Sequence, residues 1–290
     1  MNNKDLNEEK IDIKGIFMSY TTYWYFFVLS ILFFIFLGFL INRYTVPEYS
    51  VSSTLLIRDD SNTQLGAENI LEGLELFSGK KNLKNEIVIL KSYSVTEQIV
   101  KELNLGISYF KKGFIISNEL FKNSPFIVSI DSTKLQVTGA KYEVDFINSE
   151  SFKLKLKAND KYAYNVINQK FDKSKPVDIN FEKEYNFGDT ISSPLFTFSI
   201  NKTSFFDLKK IRRENKKFSF KLHPKRQFAQ KLIKEININP INKETSILKL
   251  SIKGSNPKKN IEILDKLTDI YIRSGLNEKN IMAVNTINFI

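Results

Sequence analysis

The longest apolar run in the chain lies close to its N-terminus, and no charged residue occurs between Lys14 and Arg43. From Tyr23 to Ile41 almost every residue is apolar, which meets the ~20 residues that a helix needs to cross a ~30 Å hydrocarbon layer. A soluble core helix is rarely apolar on every side, and a cleaved signal peptide has a shorter run closed by small residues. The pattern therefore predicts a retained transmembrane helix over residues 15–43.

The charges that flank this helix favour one orientation only weakly. The tail of residues 1–14 carries three lysines against four acidic residues, and Arg43 stands close on the other side. Positive residues concentrate on the cytoplasmic side, and a short tail before a long domain is typical of an anchor whose C-terminal part is translocated. We therefore expect residues 1–14 to be a cytoplasmic tail and the bulk of the chain to lie outside the cytoplasm.

An alternating stretch follows the anchor directly. Residues 47–60, PEYSVSSTLLIRDD, have the pattern of a strand that begins behind a proline and ends at Asp59 and Asp60. Residues 62–81 are interrupted by glycines and predict only a short helix.

Residues 82–106 carry the clearest helical pattern of the soluble part. We expect two helices that meet at Ser94, with Ser94 and Glu97 forming a capping box. Gly106 is placed as a left-handed stop. One apolar face, formed by Val95, Ile99 and Leu103, is a candidate for the core or for contacts between subunits.

The hydrophobic period changes to two between Pro125 and Leu222. YEVDF from position 142 and FKLKLK from position 152 predict a hairpin. Its inward residues are Phe152, Leu154 and Leu156, while the intervening lysines face water. FTFSI from position 196 and FSFKL from position 218 repeat the pattern, so we predict a β-rich insertion over residues 112–224.

The C-terminal part returns to a strand followed by a helix. SILKLSIKG from position 246 predicts a strand that buries Leu248, Leu250 and Ile252. A helix follows, with Asn256 as N-cap and Pro257 at its first position. Its expected buried stripe consists of Ile261, Leu264, Leu267 and Tyr271, and the helical pattern resumes through KNIMAVNTINFI.

Composition narrows the possible chemistry. The 290 residues include no cysteine, which excludes disulfides, thiolate catalysis and cysteine zinc sites. The single histidine, His223, has no acid or nucleophile nearby in sequence and is expected to be a surface residue. No phosphate-loop pattern occurs, and adjacent strand residues such as Asp59 and Asp60 point to opposite faces. No catalytic residue, cofactor or metal site is therefore predicted.

The net charge is +11, and its densest cluster is KKIRRENKK from position 209. Nucleic acid is an improbable partner for a segment beside a transmembrane helix, whereas a solvated loop and a contact with a polyanion both fit. The candidate polyanion residues, here named the basic segment, are Lys209, Lys210, Arg212, Arg213, Lys216 and Lys217.

Several stretches together resemble one family. The junction PEYSVSSTLLIRDD, residues 82–113, NELFKNSPFIV and GSNPKKNIEILDKLTDIYI occur in the order seen in polysaccharide co-polymerases. These are the Wzz-type chain-length determinants and the related bacterial tyrosine autokinases of capsule and exopolysaccharide export. The resemblance covers about residues 11–111 and 225–290 well and the β-rich middle loosely.

The resemblance implies an α+β architecture: a single N-terminal transmembrane helix, a periplasmic α/β domain with a β-rich insertion, and a long C-terminal helix. Residues 44–111 and 225–290 would form the Wzz-like α/β domain. It also implies ring-shaped homo-oligomers in the bacterial inner membrane that work with the polysaccharide polymerase and export machinery and with the glycan itself. The second membrane span and the kinase module of the longer relatives are not in these residues, so we expect an N-terminal fragment of such a protein.

The sequence leaves two other classes open. A periplasmic adaptor of an efflux or secretion system is also singly anchored, but it should show long coiled-coil heptads and a lipoyl-like half-motif, and neither is found. A membrane-anchored sensor would need a cytoplasmic output module, which these residues lack. The favoured interpretation is a scaffold without enzymatic activity that regulates the chain length of a polysaccharide.

Overall fold

The structure, a computed structural model, divides into two compact units, Met1–Val46 and Pro47–Ile290. It describes residues 15, 18, 22–57, 83–113, 117–242 and 245–289.

The first unit consists of a helix that is long and apolar enough to cross a membrane. Helix α1, Trp24–Tyr44, has 21 residues and a mean hydropathy of 2.6. None of its side chains is buried, which argues against a helix in the core of a soluble domain. The helix ends at Thr45, whose Oγ1 donates a hydrogen bond to the carbonyl oxygen of Ile41 at 2.7 Å. The predicted N-terminal apolar helix is confirmed.

The second unit mixes helices and strands, as predicted. Its helices are α2 over residues 83–90, α3 Tyr93–Glu102, α4 Leu208–Arg213, α5 Lys225–Glu235 and α6 Pro257–Phe289. Its strands are β1 Tyr49–Leu56, β2 Ile107–Lys112, β3 Ser117–Leu120, β4 Phe126–Ile130, β5 Leu135–Val137, β6 Lys141–Phe146, β7 Ser151–Asn165, β8 Lys170–Asn186, β9 Thr190–Ser193, β10 Phe196–Lys202, β11 Lys217–Leu222, β12 Asn237–Pro240 and β13 Ile247–Gly254.

An antiparallel sheet of β1, β13 and β12, here the α/β sheet, supports helices α3, α5 and α6. The central strand β13 buries Leu248, Leu250 and Ile252 almost completely, as the alternation predicts. These side chains join apolar residues of the helices in one cluster, the α/β core.

The long helix α6 begins where the sequence predicts. The side-chain oxygen of Asn256 accepts a hydrogen bond from the backbone N–H of Lys259 at 3.1 Å, so Asn256 caps the helix. The buried stripe is formed by Asn260, Ile263, Leu264, Leu267 and Ile270. The prediction that Ile261 is buried is wrong: it lies about 100° around the helix from Asn260, which takes the inward position.

The two predicted helix-end residues around α3 are both wrong. The helix begins at Tyr93, so its cap is Ser92, whose Oγ accepts a hydrogen bond from the N–H of Val95 at 3.3 Å. Glu97 makes no capping box and instead accepts from the Tyr93 hydroxyl at 3.0 Å. The left-handed residue after the helix is Asn104, with φ 52°, in place of Gly106. Asparagine tolerates this conformation, and it ends the helix two residues earlier.

The strands between β2 and β11 form two packed antiparallel sheets. The large sheet has the order β3-β2-β11-β6-β7-β5, with β8 paired to β7, and the small sheet has the order β4-β10-β9. Both sheets contribute to a second cluster of buried side chains, the aromatic core. The sequence predicts a β-rich insertion that starts at position 112. Strand β2 begins earlier, at Ile107, and pairs along its whole length with β11.

The predicted hairpin is confirmed as β6 and β7, with Val144 opposite Leu154. Phe152, Leu154 and Leu156 are fully buried. On the other face, Lys153 and Lys155 form ion pairs with the acidic residues Asp145, Glu182 and Glu184.

Paired aromatic side chains fill the aromatic core. Tyr142 of β6 stacks on Phe220 of β11, with ring centroids 4.7 Å apart and planes inclined by 9°. Phe198 of β10 meets both rings edge-on. The Tyr142 hydroxyl donates to the carbonyl oxygen of Val137 at 2.9 Å, which satisfies its buried polar end.

The predicted end of the first strand at Asp59 and Asp60 and the short helix within residues 62–81 lie outside the described residues.

Candidate functional site

The first four residues of the basic segment lie on the short helix α4. The Asp207 side chain accepts from the N–H of Lys210 at 3.0 Å and starts the helix. Ile211 is the buried residue of the helix and packs into the aromatic core. The four basic side chains beside it are therefore left exposed to solvent: Lys209, Lys210, Arg212 and Arg213.

The last two residues of the basic segment lie where the chain turns into β11. The N–H of Lys216 donates to the carbonyl oxygen of Ile211 at 3.1 Å, which closes the helix. Lys216 is half-buried, and Lys217 opens β11 directly opposite Lys112 of β2.

Burial lowers the pKa of Lys216, and the nearby charges of Lys111, Lys210 and Arg213 lower it further. The structure thus brings Lys210, Arg213 and Lys216 together and adds Lys111 and Lys112, which sequence reasoning missed. The signal for them was the KK pair that ends strand ISYFKK, but only the pairing of β2 with β11 shows where it lies.

Part of the basic segment is already engaged within the protein. Arg212 donates to the carbonyl oxygen of Ile147, and Lys216 forms an ion pair with Glu214. Among the described residues, no ion pair is found for Lys209, Lys210, Arg213 or Lys217. Clustered cations that repel one another attract an anion, although each exposed contact contributes little on its own. The arrangement suits weak, repeated contacts with a polyanion.

The expectation that His223 is a surface residue is wrong. Its ring is half-buried, and its Nε2 lies 3.1 Å from the Ser108 Oγ. Burial and, to a smaller extent, the charge of Lys259 together lower the pKa of His223 to about 4. A base with this pKa is a poor proton acceptor at neutral pH, so the Ser108–His223 pair lacks the activation that a nucleophilic serine needs.

Across the part of the chain that the structure describes, no three His, Asp or Glu residues are close enough to hold a metal ion. The described residues thus offer a charged surface and, beside His223, a cavity.

Comparison with known protein families gives one match. Residues 9–103 match the family model of the chain length determinant protein, Wzz. No curated protein matches the chain significantly. The matched residues include α1, β1, α2 and α3. Over residues 9–103 the chain is therefore similar to the chain length determinant proteins, the Wzz-type polysaccharide co-polymerases.

Proposed function

We propose that this protein is a membrane-anchored regulator of polysaccharide chain length that acts by organising other molecules and performs no catalysis itself. The observation that carries the proposal is the match of residues 9–103 to the chain length determinant family. The match spans the apolar helix α1 together with the first strand and helices of the soluble part.

Regulation without catalysis has to work through contacts of fixed geometry, and closed homo-oligomers supply such geometry. Two helix faces that could have formed contacts between subunits are buried within the chain itself. Val95 and Ile99 lie in the α/β core, as do Leu264 and Leu267. Further along α6, an exposed apolar stripe with helical spacing is formed by Ile272, Leu276, Val284 and Ile287. This stripe is the surface that we assign to contacts between subunits of a ring.

An acidic glycan is the partner that we assign to the basic segment. Repetition of the segment around a ring would add individually weak attractions through multivalency. Four cations of the segment have no ion pair among the described residues and are available for such contacts: Lys209, Lys210, Arg213 and Lys217.

We further propose that α1 is a retained anchor in the bacterial inner membrane, with residues 1–14 in the cytoplasm and the second unit in the periplasm. Protease added outside spheroplasts should then digest residues beyond Arg43 and spare an epitope placed before Ile11. Digestion of the N-terminal epitope with protection of the remainder would reverse the topology.

The β-rich segment resembles that of the longer, kinase-bearing relatives, and on this basis we propose that the chain is the N-terminal part of a tyrosine autokinase. Reading the coding frame past Ile290 tests this directly. A second apolar run of about 20 residues followed by a phosphate loop is the expected result. A stop codon at that point would remove the kinase from the proposal and leave the regulatory role unaffected.

The regulatory role is tested by deleting the gene and complementing it, with the extracted polysaccharide resolved by gel electrophoresis. We expect deletion to broaden or shift the distribution of polymer lengths while polymer is still made. An unchanged distribution would contradict chain-length regulation, and a complete loss of polymer would contradict a regulator that performs no synthesis.

A further inference from the structure

A cavity of about 610 Å³ lies inside the second unit, where the end of α3 and the starts of α5 and α6 meet strands β2 to β5. Its volume is in the range of small-molecule sites, which are usually apolar clefts with a few fixed polar groups. The apolar wall includes Leu120, Phe121 and Ile127, and polar or charged side chains make up more than half of the lining residues.

One of these polar groups, Gln136 of β5, is nearly completely buried and only half satisfied. Its Nε2 donates to the carbonyl oxygens of Asp131 at 3.1 Å and Thr197 at 2.8 Å, which fixes the amide. Its Oε1 is buried and accepts no hydrogen bond from the protein. A buried acceptor without a donor costs free energy, so the cavity is suited to a ligand that brings an O–H or N–H group to this oxygen.

Two tyrosines stand beside Gln136. Tyr164 of β7 is its direct partner in the sheet, so both side chains leave the sheet on the same side. Tyr109 of β2 accepts the N–H of Val128 at 3.0 Å and keeps its own proton, because burial raises the pKa of its hydroxyl. This part of the cavity wall therefore presents the free acceptor of Gln136, the phenolic hydroxyl of Tyr109 and the rings of both tyrosines.

The charges around the cavity are largely neutralised. Lys259 is paired with Glu119 at 2.6 Å, and His223 is neutral because burial lowers its pKa to about 4. Lys225, which packs over Gly106 at the wall, has no ion pair among the described residues. The interior is thus close to neutral, with one cation available at its edge.

We propose that this cavity binds a short stretch of saccharide, one or two sugar units long. A sugar carries hydroxyls that both donate and accept hydrogen bonds, so it can pair with Gln136 and Tyr109. Its C–H faces can pack on the rings of Tyr109 and Tyr164. An alkyl chain would leave the Gln136 Oε1 unpaired, and a phosphate would bring negative charge against that same oxygen. The inference rests on the proposed function in one respect, since a polysaccharide in the same compartment is the source of the ligand.

The test is saturation-transfer NMR on the full chain in phospholipid nanodiscs, because detergents with sugar headgroups would compete. The probes are cellobiose, N-acetylglucosamine and oligosaccharides made by partial hydrolysis of the producing cell's own polysaccharide. We expect transfer to the oligosaccharides at millimolar concentration or below. Preference for them over the two free sugars identifies the glycan as the source, whereas equal transfer to all three points to a general sugar site.

Ile127→Trp should fill the cavity and weaken binding at least tenfold, since Ile127 lines the cavity and is 50% exposed. The matched control is Ile167→Trp in the turn between β7 and β8, where the side chain is 65% exposed and lies outside the cavity lining. If Ile127→Trp does not fold by circular dichroism, Gln136→Met removes the free acceptor without filling the space and should weaken binding as well.

The absence of transfer to every probe, or equal binding by the wild type and the folded variant, would overturn the cavity proposal. That failure is separate from a failure of the proposed function. If deletion of the gene changes polymer length while no probe binds, regulation stands and the cavity does not take sugar. If the oligosaccharides bind while deletion leaves polymer length unchanged, the cavity stands and chain-length regulation fails.

Discussion

The imidazole of His223 is kept neutral by its surroundings, and this makes it a source of acid sensitivity. Burial, the charge of Lys259 and other nearby lysines hold its folded-state pKa at about 4, against about 6.5 for an exposed imidazole. Between these values the unfolded chain binds a proton that the folded chain does not. Stability should therefore be fully present above pH ~6.5 and be lost as the pH falls toward 4, by at most roughly 3 kcal/mol.

We predict that His223→Gln flattens this dependence, because glutamine can keep a hydrogen bond to Ser108 without titrating. The measurement is the thermal midpoint followed by far-ultraviolet circular dichroism at several pH values between 7 and 4. The wild type should lose more of its midpoint over this range than the variant. Parallel curves for the two proteins would show that His223 is not the titrating group.

Leu250, on the central strand of the α/β sheet, is fully buried. A substitution at this position therefore tests whether the strand belongs to the α/β core. Leu250→Asp places a charge where no partner exists, and we expect a loss on the order of 3–5 kcal/mol or failure to fold. The matched control is Lys249→Asp, because Lys249 is the adjacent residue of the same strand and is exposed. Equal thermal stability of the wild type and Leu250→Asp would contradict the assignment of this strand to the core.

At the scale of helices and strands, local chemistry predicted some boundaries and misplaced others. Asn256 followed by Pro257 marks the start of α6 unambiguously, since proline suits only the first turn of a helix. Before α3 the spacing of Ser94 to Glu97 predicted a cap at Ser94, whereas the cap is Ser92. Leu90 is buried at the end of α2 and the chain turns immediately afterwards, so tertiary packing selects Ser92. The few residues around the cap do not encode such packing in their sequence.

The end of α3 is joined to the middle of α6 by a group of charges centred on Glu102. The Arg273 Nη2 donates to both carboxylate oxygens of Glu102, at 2.9 and 3.0 Å, and Lys266 lies 3.3 Å away. Hydrogen bonds from Arg273 and Gln98 lower the pKa of Glu102 to about 2, from 4.5. The folded-state pKa is depressed, so the stabilisation is present above pH ~4.5 and is lost as the pH falls toward 2.

We predict that Glu102→Gln makes thermal stability less dependent on pH between 5 and 2.5. The effect should shrink in 1 M salt because the pair is exposed to solvent. Far-ultraviolet circular dichroism melts at low and high salt provide the measurement. Glu235→Gln is the control, since within the described part of the chain Glu235 forms an ion pair with Lys231 of the same helix α5 and with no other residue. A variant whose midpoint falls as steeply as that of the wild type would show that the α3–α6 contact does not depend on Glu102.

At the scale of the whole molecule, the sequence predicted the type of each region better than its pairing. Apolar and polar residues alternate within FTFSI and FSFKL, and this local pattern correctly predicted the strands β10 and β11. The pairing of β2 with β11 joins residues more than a hundred positions apart, and no local pattern encodes it. That pairing places Lys111 and Lys112 beside the basic segment. The cavity around Gln136 depends on the same long-range contacts, so it could not have been predicted from the sequence.

The proposed ring would determine what the basic segment can do. A single exposed lysine attracts an anion weakly, but a cluster repeated in each subunit of a ring presents many such contacts at once. The attraction should also weaken as salt rises and the screening length falls below the spacing of the charges. Inverting the charge of the cluster should therefore change the behaviour of an acidic polymer without disturbing either core, since these side chains lie on the surface.

We predict that a variant with glutamate at Lys209, Lys210, Arg213 and Lys217 shifts the modal length of the polysaccharide, or its retention at low salt, while the oligomer survives. The control carries glutamate at the exposed lysines Lys157, Lys173, Lys253 and Lys258, which gives the same change in net charge away from the cluster. Gel electrophoresis of extracted polysaccharide and the native size of the protein in nanodiscs are measured together. An unchanged profile in the cluster variant, or the same shift in the control, would show that the position of these charges does not matter. Loss of all polymer from an assembled variant would contradict a scaffold that leaves polymerisation to another protein.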